Sequence, residues 1–179
     1  MKLTIDKRGK KEYYDEFLYI TNTANRLLKK PTRKAHRLTK KLLFQLIIYT
    51  LLTCLYSYCY AIYKDIFFLI VVTAILTYII VLSAYLMSVN VRIKRLMSNK
   101  QIIEFEINKE GIFYKTDESE LHLTWDNTKY IIINKYSITF LPKEIKLFIL
   151  STSTDYKKEV LAAIKKYNHE DLIIVNNTK

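Results

Sequence analysis

The chain has 179 residues, a formal net charge of +12 and 15 tyrosines, but only two glycines, two prolines and two cysteines. A length of this order leaves room for one small domain beside any membrane segment and excludes a large enzyme core. Residues 1–41 carry 13 Lys/Arg against 4 Asp/Glu, residues 42–100 carry 5 against 1, and residues 101–179 carry 11 against 12. The excess therefore belongs to the first half, and the C-terminal part lacks the basic face that a nucleic-acid partner requires.

In chain order, Lys2 to Ile5 reads as a short strand and Asp6 to Glu12 as a charged loop. Tyr13, Phe17, Ile20, Ala24 and Leu27 recur at steps of three and four, which predicts an amphipathic helix stopped by Pro31. Its apolar face fits either the lipid headgroup zone or a dock on a later domain, since aromatic residues suit both. A dense basic stretch follows, with Lys29, Lys30, Arg33, Lys34, Arg37, Lys40 and Lys41.

Leu42 to Tyr63 and Ile66 to Val89 are uncharged apolar runs joined by Lys64 and Asp65. Each is long enough to cross a hydrocarbon core of roughly 30 Å, which takes about 20 helical residues. The first run starts too far into the chain and is too long for a signal peptide, so it reads as an anchor. Arg92, Lys94 and Arg95 follow the second run, while the turn carries Lys64 alone. By the positive-inside rule both termini are expected in the cytoplasm, and these ten basic residues, from Lys29 to Arg95, are expected to contact anionic lipid. Cys54 and Cys59 lie about 140° apart on the first helix and read as packing residues, neither a disulfide nor a metal pair.

Within the hairpin, Gln45, Tyr49, Thr53 and Tyr56 share one face of the first helix, and the small residues Thr73, Thr77, Ala84 and Ser88 share one face of the second. These faces are expected to meet, with Tyr56 opposite Thr73 and Gln45 opposite Ala84, because small residues let backbones approach. Neither run contains a charged residue or histidine, so a pore or holin-like oligomer is a weaker alternative. The tyrosine stripe leaves a homo-oligomer open.

After the connector 90–100 the period changes from helical to alternating. Strands are predicted at Ile103 to Ile107, Ile112 to Lys115, Leu121 to Trp125, Lys129 to Ile133, Tyr136 to Leu141 and Glu144 to Leu150, with turns at Gly111 and at Asp117 to Ser119. Thr152 or Ser153 caps a helix to about Tyr167 whose buried stripe is Tyr156, Val160, Ala163, Ile164 and Tyr167. Asp171 to Val175 reads as a last short strand. The expected fold is membrane α + β: a hairpin (42–89) between an arm (1–41) and a small antiparallel barrel or bent sheet capped by a C-terminal helix (101–179).

The order of parts resembles the YcxB-like family of bacterial membrane proteins. Tyr13-Tyr14-Asp15-Glu16-Phe17, Gly111-Ile112, Trp125, Leu141-Pro142-Lys143 and Ser153 before the last helix carry the resemblance. It implies a bacterial cell membrane protein whose soluble part is similar to pleckstrin-homology domains.

The histidines, His36, His122 and His169, are too dispersed for ligand spacing, and no phosphate-loop, dinucleotide or HExxH motif occurs. No catalytic residue, cofactor or metal is therefore expected. The leading expectation is a non-enzymatic module whose cytoplasmic domain binds an unidentified protein partner or senses the bilayer. Self-protection against a membrane-active bacteriocin is the alternative, by analogy alone.

Overall fold

A computed structural model describes residues 1–6, 10–31, 37–98, 102–116, 119–144 and 148–175. The elements are β1 (Lys2–Asp6), α1 (Lys11–Lys29), α2 (Leu38–Tyr63), α3 (Ile66–Ser98), β2 (Ile102–Ile107), β3 (Gly111–Lys115), β4 (Glu120–Thr124), β5 (Thr128–Ile133), β6 (Ser137–Pro142), β7 (Leu150–Ser153), α4 (Lys157–Lys166) and β8 (Ile173–Val175). They form two compact units, residues 37–94 and residues 1–36 with 95–179. The arm and the β domain, separate in the sequence reading, thus belong to one unit.

The helical unit is a hairpin of α2 and α3, both long and apolar enough to cross a membrane. Its turn explains the two charged residues between the runs. Lys64 takes a left-handed conformation (φ 57°) and its N–H returns to Tyr60 O, ending α2. The Asp65 carboxylate then accepts from Phe67 N at 2.9 Å, satisfying an N–H that has no partner within α3.

In the β unit, two sheets share one core. The first has the order β1-β2-β3-β4, all antiparallel; the second has the order β7-β6-β5-β8, with β8 parallel to β5. Alternation places Phe105, Ile112 and Leu123 of the first sheet with Ile131, Ile138 and Phe140 of the second, and α4 adds Val160, Ala163 and Ile164. Trp125, 6 % exposed, joins this core, donates its indole N–H to Asn108 O and stacks on His169.

Three expectations need correction. The sheets are open rather than a closed barrel, because among the described residues no ladder joins β4 to β7. The tail strand pairs in parallel, so the β region is not wholly antiparallel. The strand expected at Glu144 to Leu150 instead begins at Leu150 and continues through Thr152, which pairs with Ile138. Ser153 still caps, but it caps the single 3₁₀ turn Thr154–Tyr156 that precedes α4. Ile145 and Leu147, and the turn at Asp117 and Glu118, lie outside the described residues.

β1 pairs with β2 from Lys2↔Glu106 to Asp6↔Ile102, and α1 packs on β6. Ser137 and Thr139 of β6 point away from the core, towards α1, while Ile138 and Phe140 point into it. Both faces of β6 are covered, and every one of its residues is buried. The arm thus docks on the sheet, which decides between the two settings open in the sequence.

Gly111 holds φ +155° where β3 meets β4, and a Cβ there would clash with Leu123 O and stand 2.7 Å from Thr124 Cα. Both are backbone atoms and cannot swing aside. Gly111→Ala should therefore destabilise the β unit by about 2 kcal/mol or more, read as a lower unfolding midpoint in Trp125 fluorescence. An unchanged midpoint would contradict this close approach.

Candidate functional site

The expected lipid-contact residues fall into two groups. Lys40 and Lys41 in the first turn of α2, and Arg92 and Lys94 near the end of α3, lie at the end of the hairpin opposite Lys64 and are exposed. Arg95, Lys29 and Lys30 are also exposed and Arg37 is half-buried, while Arg33 and Lys34 lie outside the described residues. The first turn of α2 contains no acidic residue. Positive charge at a helix N-terminus opposes the helix dipole and costs roughly 0.3–1 kcal/mol, so Lys40 and Lys41 are not there for the helix's own stability.

The hairpin interface differs from expectation on one side. On α2, Gln45, Tyr49, Thr53 and Tyr56 are half-buried, with Tyr49 against Tyr78 at 4.6 Å and Tyr56 near Phe68 at 6.3 Å between ring centroids. On α3, Thr73, Thr77, Ala84 and Ser88 are exposed, and the less exposed positions include Phe68, Val72, Ile75, Ile79, Leu82, Leu86 and Val89. These recur at alternating steps of four and three, the seam of a coiled coil. Thr73 donates to Leu69 O and Thr77 to Thr73 O, both at 2.9 Å, so the Thr73 hydroxyl does not need Tyr56, the residue expected opposite it. Aromatic side chains from both helices meet in this seam.

The β unit has a more distinctive feature where its sheets fail to close. Between the edges β4 and β7 lies a pocket of about 200 Å³. Its floor comes from Tyr114 and Leu121, paired positions on β3 and β4, and from Leu150. Its walls are Tyr13, Tyr14 and Phe17 of α1, with Leu96, Ile149 and Ser151 completing the rim. Tyr13 donates its hydroxyl to Ser151 O at 3.0 Å, so α1 caps a carbonyl on β7. Burial pushes the hydroxyl pKa of Tyr13 up and that of Tyr114 up to about 12. Both are neutral phenols at physiological pH, and the lining carries no charge. Phe148, next to the rim residue Ile149, is 59 % exposed and extends the apolar surface. Such a site can exclude water around an apolar group.

The sequence reading missed the clamp that holds α1 in place. Glu16, buried, accepts from Tyr136 N at 3.0 Å and from Ser137 Oγ at 2.6 Å. The available signal was its position four residues before Ile20, inside the helix's buried stripe. Burial raises the Glu16 pKa above the ordinary glutamate value, and the hydrogen bonds oppose that only in part. The folded state then retains a proton that the unfolded chain has released, so this contribution is fully present below the ordinary value and is lost as pH rises through the raised one. The midpoint of the native protein should therefore fall relative to that of Glu16→Gln as pH rises from acid to neutral. Glu16→Ala should cost about 2 kcal/mol by removing the carboxylate that accepts from the buried Ser137 hydroxyl and from the half-buried Tyr136 N–H. Parallel pH curves for the native and Gln proteins would contradict this assignment.

Comparison of the chain with protein-family models, with curated proteins and with solved structures returns no match.

Proposed function

We propose that the chain is a YcxB-like, non-enzymatic membrane protein that crosses the bilayer twice and holds its β unit, a pleckstrin-homology-like binding module, at the cytoplasmic surface for a protein partner. The observation that carries this reading is the β1–β2 ladder. Its two strands lie on opposite sides of the hairpin in the chain, yet they pair over five residues. One folded unit built from both flanks requires both flanks on one side of a membrane, and two crossings satisfy that. The basic residues at the end of the hairpin away from Lys64 favour the cytoplasmic side and an anionic leaflet, where each contributes about 1 kcal/mol of attraction. A neutral apolar pocket between open strand edges fits a module that binds rather than transforms its ligand.

Single-cysteine labelling tests the reading. In a background with Cys54 and Cys59, both free thiols, replaced by serine, Lys64→Cys should react with an impermeant maleimide in intact cells. Lys10→Cys and Lys109→Cys should react only after permeabilisation. Labelling of position 10 and position 109 from opposite sides would overturn the topology.

A further inference from the structure

We propose that the seam binds an extended peptide segment, which lays its backbone along the outer edge of β4 and sets one aromatic or branched aliphatic side chain into the pocket. The proposal deepens the reading of the β unit as a protein-binding module and rests on that reading, though not on the membrane topology.

Among the described residues β4 has no strand on its outer side, and Glu120 and His122 along it are exposed. An edge strand presents a row of N–H and C=O groups at strand spacing, and another extended backbone is the ligand that matches them; on β4 Thr124 O is already taken by Asn127 N and Thr128 Oγ1, which leaves the stretch at Glu120 and His122. The corresponding edge of β7 is a poorer choice, because Tyr13 already occupies Ser151 O. Leu121 belongs both to β4 and to the pocket floor, so a strand added to β4 passes the opening. Successive side chains of that strand point to opposite faces, which leaves every second one able to turn towards the pocket.

Size and polarity choose the side chain. A cavity of about 150 Å³ lined by apolar residues takes up benzene, whereas sites for larger organic ligands start near roughly 300 Å³. At about 200 Å³ the pocket suits one ring or one branched aliphatic group and is too small for a whole lipid tail. Tyr114 and Tyr14 offer the aromatic surroundings in which such a ring packs favourably edge to face.

The test is a methyl-NMR titration of the full chain in lipid nanodiscs with the capped tripeptide acetyl-Val-Phe-Val-amide. Saturable shifts are expected at the Leu121, Ile149 and Leu150 methyls. Binding should be weaker by roughly tenfold or more for acetyl-Val-Ala-Val-amide, as for loss of an anchor side chain, and for a backbone-N-methylated Phe peptide that cannot pair. Ile149→Phe, which fills the rim from a half-exposed position outside any strand, should abolish the shifts while the Ile131, Ile133 and Ile138 methyls keep their native positions. Octanoate serves as the acyl probe. Absence of saturable shifts, equal binding of the N-methylated peptide, unchanged binding to a folded Ile149→Phe, or tighter binding of octanoate would each overturn the proposal. None of these outcomes alters the cysteine-labelling result, so failure here is distinguishable from failure of the topology.

Discussion

The pairing of β1 with β2 is the constraint on which the rest depends. It joins residues about a hundred positions apart, and closing so long a loop carries an entropic cost that grows with the logarithm of its length. The hairpin reduces that cost. Its antiparallel helices return the chain to the end from which it left, so β1 and β2 do not have to meet across a free coil of that length. The pairing also removes an exposed edge from β2, which would otherwise be open to association with other chains.

The same arrangement explains why α1 belongs to the β unit. Once β1 is in the first sheet, α1 follows closely and covers the outer face of the second. There it meets Ser137, Thr139 and Ser151, which are buried and polar. The Thr139 and Ser151 hydroxyls lie 3.2 Å apart, and Glu16 takes the Ser137 hydroxyl. Buried polar groups are tolerated when each finds a partner. The clamp therefore fixes α1 in one position, and the aromatic start of that helix, Tyr13, Tyr14 and Phe17, comes to rest at the gap between the sheets. Their side chains line the pocket there.

Strong periodic signals were legible in the sequence. The two apolar runs are helices and turn at Lys64 and Asp65, and the alternation from Ile103 to Leu141 gave five strands at nearly their observed bounds. The errors arose where tertiary context outweighs local pattern. Thr152 has the residue type of a cap but lies within β7, opposite Ile138. Thr73, Thr77, Ala84 and Ser88 have the size of an interface but face outward, because intrahelical hydrogen bonds satisfy the threonines and the bulkier Phe68, Val72, Ile75 and Ile79 make the stripe that packs. The pocket was not legible at all. It depends on Tyr13 and Leu121 meeting across more than a hundred residues of chain, and no local spacing encodes that.

The most direct measurement is an engineered disulfide across the β1–β2 ladder. With Cys54 and Cys59 replaced by serine, Thr4→Cys and Glu104→Cys occupy directly opposed positions. Mild oxidation should give an intramolecular crosslink in the monomer, and no crosslink when the second cysteine is moved to Glu159 on α4. Failure of the opposed pair to crosslink, or crosslinking only between separate chains, would contradict a single β unit built from both sides of the hairpin.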